Sequence, residues 1–239
     1  MAQPLTIAAY NQSEATFLAT TESQLGAQGD RIDLVSQKGD VPALNRLLNT
    51  FPASLPVRYV AHVAGLDNVR SVLGSTNPAL DSRFSGIFYD YEPNYEPEFD
   101  FDPGRTYANF TQFAAICHQH GKLAIGYPSG QGLKRGWDYG RLATVVDELA
   151  VQTQHAGLET ATWEDCIERL VRQFQQNGVP LSRLTVQTSL PQVGVNSTTP
   201  QQALVNYQYA QSRGVSSFNV WWSPKDPGSL TEFLKLIGR

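Results

Sequence analysis

An α/β fold, with residues 1–239 forming a single (β/α)8 barrel of the TIM type, is predicted by three observations on this chain. Apolar, β-branched or aromatic runs recur at intervals of about 30 residues; a loop and a helical pattern follow each run; no shift in composition divides the chain. A doubly wound open sheet is the main structural alternative. Taken in order, strands are expected at 5–10 (Leu-Thr-Ile-Ala-Ala-Tyr), 32–37 (Ile-Asp-Leu-Val-Ser-Gln) and 57–63 (Val-Arg-Tyr-Val-Ala-His-Val). Each is rich in residues that suit a pleated, half-buried surface. An amphipathic helix at 41–48 separates the second strand from the third. The fourth strand, 86–92, leads through a long loop to a helix at 107–120, which stops at Gly121. A short fifth strand at 123–127 and a sixth at 149–154 precede a helix at 163–177, which stops at Gly178. The seventh strand, 184–189, leads to a helix at 200–213 ending before Gly214; the eighth, 217–221, and a helix at 230–237 complete the set. Glycine just past the last turn supplies the left-handed C-cap that ends a helix.

Alternation along these strands predicts which residues point inward. Ile32/Leu34, Leu123/Ile125, Leu149/Val151, Leu184/Val186 and Phe218/Val220 form an apolar set expected to pack outward on helices. The complementary inward set near the strand C-termini is Tyr10, Gln37, His62, Asp90, Glu92, Gln152, Gln154, Gln187, Asn219 and Trp221. Tyr127, in the glycine-rich stretch 126–132 at the same end, joins them as a ligand-contact candidate. A purely structural interior would be Val, Ile and Leu. Amides, carboxylates and an aromatic platform instead suit a polyhydroxylated ligand, which needs directional hydrogen bonds and a flat face.

The fourth strand carries the sharpest signal. In Ser85-Gly86-Ile87-Phe88-Tyr89-Asp90-Tyr91-Glu92-Pro93, Asp90 and Glu92 share a face with Phe88, while Ile87, Tyr89 and Tyr91 take the other. Two carboxylates at a strand end are costly to bury unless paired, hydrogen-bonded or used. A carboxyl group beside another tends to have a raised pKa, which suits proton donation. The plain structural alternative is a buried polar network with His62 or Arg58 that only stabilises the barrel.

Bulk properties narrow the function classes. Net charge is -4 with no Lys/Arg run, which argues against nucleic acid as a partner. Charged residues are only 17%, so Gln, Asn, Ser and Thr carry much of the surface, favouring a secreted mature form over a cytoplasmic one. The first five residues have no basic patch and no apolar core, so no signal peptide is expected in this chain. No apolar run reaches membrane-spanning length, and a monomer without cofactor is expected. Cys117 and Cys166 fall in helical patterns and read as small core residues. His118 and His120 diverge on a helix, and the acidic loop at 94–103 lacks metal-loop spacing, so no metal site is expected.

The strand-four segment resembles the chitinase family of barrels, glycoside hydrolase family 18, whose fourth strand carries D-x-x-D-x-D-x-E. Here the aligned positions are Ser85, Phe88, Asp90 and Glu92, which keep the last acid pair and lose the first two. The family's S-x-G-G turn is missing from the third strand, and Val151-Gln152-Thr153-Gln154 stands where a Tyr and an acid are usual. The eighth strand keeps an aromatic, Trp221 or Trp222, where the family floors its sugar site. The resemblance implies retaining hydrolysis of an oligo- or polysaccharide containing N-acetylhexosamine, assisted by the substrate's own acetamido group. Glu92 would be general acid/base, Asp90 would orient the acetamido group, and Gln152 or Gln154 would supply an amide donor.

Conventional glycosidases need a second carboxylate across the scissile bond. Asp147 and Glu148 fall at the wrong end of strand six, leaving only loop acids such as Glu14, Glu96 or Asp226. A two-carboxylate glycosidase for another sugar, and a barrel that binds glycan without cleaving it, therefore stand beside the first reading.

Overall fold

The computed structural model describes residues 3–21, 24–26, 29–93, 99–155, 162–192 and 197–239. Eight parallel strands run in chain order around the sheet: β1 (Leu5–Ala9), β2 (Arg31–Val35), β3 (Arg58–Ala64), β4 (Phe84–Tyr91), β5 (Leu123–Pro128), β6 (Glu148–Val151), β7 (Leu184–Ser189) and β8 (Ser217–Trp221). Because β1 pairs with both β2 and β8, the sheet closes on itself, and the doubly wound alternative is excluded.

Helices α1 (Gln12–Thr20), α2 (Val41–Leu48), α3 (Leu66–Gly74), α4 (Pro103–Gln119), α5 (Tyr139–Ala143), α6 (Trp163–Gln176), α7 (Pro200–Ser212) and α8 (Pro227–Leu236) cover the outside. Parallel neighbours need such crossovers, because a hairpin turn cannot return the chain to the same end. The starts are chemically marked. Asn11, Asp40, Asp102, Asp138, Thr162, Thr199 and Asp226 each accept a backbone N–H of the first turn, a contact worth about 1 kcal/mol. The stops are marked as expected: Gly121, Gly178 and Gly214 take φ of 63°, 67° and 79°.

Most apolar side chains form one shell between strands and helices, with Cys117 and Cys166 buried and free within it. A second, smaller cluster fills the barrel: Val60, Phe88, Ile125, Tyr127 and Ala150. This corrects the expected facing of β5, since Leu123 and Ile125 belong to the inner cluster. The reason lies on the outside of the strand. A Cβ at Gly126 would lie 2.5 Å from Phe110 Cε1 and 2.9 Å from Leu149 Cδ1, so the outward positions hold only Ala124 and Gly126. The bulk of β5 must turn inward. Gly126→Val should overpack this contact and lower stability by ~1–3 kcal/mol, read as a lower denaturant midpoint at unchanged slope.

The strand N-terminal end is closed by charge. Arg31, 2% exposed, places Nη1 2.6 Å from Glu148 Oε2, and Arg58 Nη1 lies 2.7 Å from Glu148 Oε1. The Arg31 guanidinium also lies 5.1 Å from the centre of the Phe88 ring. Side chains thus plug one end and leave the C-terminal end as the mouth.

Candidate active site

Asp90, on the inward face of β4 near its C-terminal end, is buried and held from two sides. His62 on β3 places Nε2 3.2 Å from Asp90 Oδ2, and Gln152 Nε2 donates to Asp90 Oδ1 at 3.0 Å. Gln152 directly follows β6, bridging Ser129, and its amide also donates to the Tyr127 carbonyl at 3.3 Å. The Asp90 carboxylate is therefore fixed in position and orientation. The alternative partner Arg58 is excluded, because it is engaged with Glu148 at the opposite end.

An aromatic wall lies under this acid. The Phe88 and Tyr127 rings are 4.4 Å apart, and the His62 ring sits 5.0 Å from Phe88 and 5.5 Å, edge-on, from Tyr127. The Tyr127 hydroxyl donates to Gln187 Oε1, which also accepts from Asn219 Nδ2 at 3.3 Å. His62, Asp90, Tyr127, Gln152, Gln187 and Asn219, predicted from five different strands and the β6 end, are thus brought into one buried cluster.

The rim residues are placed differently. Glu92 follows β4 and is half-buried, close enough to raise the pKa of both Tyr10 and Tyr127. Tyr10 lies just past β1, 44% exposed, with its ring 6.5 Å from His62. Gln37 departs from expectation: β2 ends at Val35, so Gln37 sits exposed in the following turn. It still lines, with Tyr10, Val35, Ser36, Lys38 and Asp40, a recess of about 410 Å³, within the range of ligand clefts. Gln154 is not on a strand, because β6 stops at Val151 and a 3-10 turn, Thr153–His155, follows. It is buried, with Nε2 3.4 Å from Gln152 Oε1 and its own Oε1 without a partner. Of the two candidate tryptophans, Trp222 is buried against Phe17 with Nε1 on the Ala8 carbonyl, which leaves half-buried Trp221 for the rim. Trp137 and Tyr139 belong to the core.

Asp33 is the residue that sequence reading passed over. It shares the inward face of β2 with Arg31, is 1% exposed, and neither carboxylate oxygen has a hydrogen-bond partner. Arg31 Nε stands 3.4 Å from Oδ1. Burial pushes its pKa up to about 6 against the pull of Arg31, His62 and Arg58, with Glu148 adding to the rise. At neutral pH the ionised group costs about 3 kcal/mol of stability. The native state holds this proton more tightly than the unfolded chain, so the cost is full above pH 6 and vanishes below about 4. The signal was available: with Ile32 and Leu34 outward, Arg31 and Asp33 must point in.

The mouth is electronegative. Although Tyr10 exposes 44% of its surface, desolvation, followed by Asp90, Asp33, Glu92 and Glu14, raises its phenol pKa above the ordinary value. Tyr127 is raised likewise, by burial first and then by Tyr10, Asp90, Glu92 and Asp33. Other nearby acids are engaged in structure. Glu14 accepts from the Tyr10 N–H and Asn11 Nδ2, and Asp226 accepts from the N–H and hydroxyl of Ser229. Asp147 meets His118 and Glu148 meets the two arginines, both at the far end as expected. Glu96 and the rest of 94–98 lie outside the described residues. Among the described residues no group of three or more His, Cys, Asp or Glu could hold a metal, and no helix is long and apolar enough to cross a membrane.

No protein-family model and no curated protein matches the chain. Solved structures do. The glycoside hydrolase domain of PgaB (BpsB) from Bordetella bronchiseptica superposes with a TM-score of 0.63 at 11% identity, over 95% of each chain. A family 18 chitinase from Pseudoalteromonas aurantia gives 0.61 at 11% identity, over 98% of each. A fungal endo-β-N-acetylglucosaminidase of glycosyl hydrolase family 18 gives 0.59 at 12%, over 98% of this chain and 97% of that one. Barrels of other chemistry are similar too, among them a 3-deoxy-D-arabino-heptulosonate 7-phosphate synthase from Thermotoga maritima. At these identities the likeness concerns the fold.

Proposed function

We propose that this barrel is a glycoside hydrolase acting on a glycan that contains N-acetylhexosamine, by retaining, substrate-assisted hydrolysis. Glu92 donates a proton to the glycosidic oxygen as that bond breaks. The acetamido carbonyl oxygen attacks the anomeric carbon from the other face, and the Asp90 carboxylate accepts the acetamido N–H. Water, deprotonated by Glu92, then opens the cyclic intermediate with net retention.

The observation that carries the reading is the fixed Asp90 carboxylate at the mouth, bracketed by His62 and Gln152, with Glu92 two residues on at the rim. Its companion is chemical: among the described carboxylates around the mouth, Glu14 and Asp226 are engaged at helix starts, so the substrate supplies the nucleophile. Since the Gln152 amide already holds Asp90, Gln154 is the amide left to meet the acetamido group, its Nε2–H donating to the acetamido carbonyl oxygen. Trp221 gives the flat face for the sugar, and Tyr10 and Gln37 its flanks.

The test is release of reducing ends from chitin-type, peptidoglycan-type and galactosaminoglycan substrates, with a thiazoline of N-acetylglucosamine as competitor. Hydrolysis with first-formed retained anomer and thiazoline inhibition is expected. Cleavage indifferent to the thiazoline would replace this mechanism by a two-carboxylate one, and oligosaccharide binding without turnover would leave a binding protein.

A further inference from the structure

A second pocket, of about 120 Å³, lies between the first turns of α4 and α5, with Pro103, Tyr107, Trp137 and Arg141 in its lining. That is several times the space one water needs. Helix α4 follows β4 and α5 follows β5, so the pocket sits on the same end of the barrel as the mouth. Arg141, exposed, holds its guanidinium over the Tyr107 ring, 4.3 Å from the ring centre. Beside it Arg135, from the 3-10 turn Gly130–Arg135, lies over Phe101 at 5.1 Å. The Phe101 and Trp137 rings are 5.6 Å apart, and Trp137 Nε1 donates to the Phe101 carbonyl at 2.9 Å, which ties the aromatic wall together.

Among the described residues neither guanidinium has an acid or a hydrogen-bond partner, whereas the neighbouring acids are engaged. Asp138 Oδ1 accepts the Arg141 N–H, and both Asp138 oxygens accept from Asn177 Nδ2 at 3.0 Å. Asp100 pairs with Arg105 at 2.9 Å, and Asp102 Oδ1 accepts the Arg105 N–H. A ring beneath a guanidinium restricts its rotamers and leaves its donor fork for an oxyanion, which accepts two parallel bonds. An arginine that only covered an aromatic ring would need no hollow beside it.

We propose that Arg141 on Tyr107, with Arg135 on Phe101 beside it, forms an oxyanion subsite for a sulfate or carboxylate group of an acidic glycan lying across the rim. The chain carries a net charge of -4 and its mouth is electronegative, so the charges of such a glycan are repelled there and are met at this patch instead. The glycan half of the proposal rests on the hydrolase reading; the oxyanion subsite does not.

The first arm of the experiment titrates inorganic sulfate and inorganic phosphate at constant ionic strength. ¹H–¹⁵N NMR follows the Trp137 indole N–H, the Gly136 amide and the Arg141 Nε–H in the wild type, Arg141→Gln, Arg141→Lys, Tyr107→Leu and Arg46→Gln. Saturable shifts are expected, with a dissociation constant roughly 10-fold higher in Arg141→Gln and about 3-fold higher in Tyr107→Leu. Arg141→Lys keeps the charge but loses the fork, and should recover only part of the affinity. Arg46 is exposed on α2, and its variant should bind as the wild type does. Shifts that do not saturate, or that persist unaltered in Arg141→Gln, overturn the subsite. The second arm measures binding of chondroitin sulfate, desulfated chondroitin and a chito-oligosaccharide to Glu92→Gln, with and without Arg141→Gln. Affinity lost for the sulfated chain alone identifies sulfate as the group held; affinity lost for both acidic chains identifies the carboxylate as well. An equal loss for the chito-oligosaccharide, or no loss for any chain, overturns the glycan half. If no glycan binds, the hydrolase reading falls with that half, while the ion titration still decides the subsite. Arg141→Gln alters an exposed side chain and keeps the test open should Tyr107→Leu not fold.

Discussion

Replacing Glu92 by Gln should lower hydrolysis of an unactivated glycan by about 10²–10⁴-fold with little change in thermal stability. The amide has the shape of the acid but cannot give a proton to the leaving oxygen or take one from water. Glu92 is half-buried just beyond β4, and the isosteric amide keeps its volume there, so packing is retained. A chemical control sharpens the result. A substrate whose leaving group departs without protonation should lose much less of its rate in the bond-breaking step. Equal rates for wild type and Glu92→Gln on any glycan the wild type cleaves would end the assignment of Glu92.

The largest stability effect is expected at the closed end. Glu148→Ala leaves Arg31, 2% exposed, without its 2.6 Å partner, and should cost about 3–5 kcal/mol. Arg58→Ala should cost about 1 kcal/mol or less, since its side chain is 41% exposed and water takes over the charge. Urea midpoints of the two variants make the comparison; equal losses would sink the account of a buried arginine held chiefly by Glu148, with Asp33 Oδ1 a longer 3.4 Å from its Nε. The pH dependence has a definite sign. Burial alone would raise the Glu148 pKa, but Arg31 and Arg58 outweigh it and hold the carboxyl below its usual value. Its contribution is therefore present above about pH 4 and fades as pH falls. Asp33 acts in the opposite sense, gaining stability as pH falls from about 6.

The element order was legible because it is written locally. Branched and aromatic runs mark the strands, seven of the eight helices start at a capping side chain, three stop at a glycine, and β7 and β8 fall where alternation put them. Asp90 and His62 were legible for the same reason, since period-two facing holds along one strand. Where the chain left the strand geometry, the rule lost its hold. Gln37 and Gln154 lie in a turn and a 3-10 turn, beyond Val35 and Val151, so counting by twos no longer places their side chains.

What the chain determined alone is the eight-unit barrel and the inward acid at the end of its fourth strand. Only the closed structure decided that β5 turns Ile125 inward, that Trp222 packs away from the mouth, and which groups each lumen side chain meets. The reason is one of range. Periodicity records the face a residue takes on its own element, whereas Asp90 meets Gln152 from 62 positions away and Tyr127 meets Gln187 from 60. Facing is local; partnership in the lumen follows from strand register and from helix side chains such as Phe110 that take up the space outside.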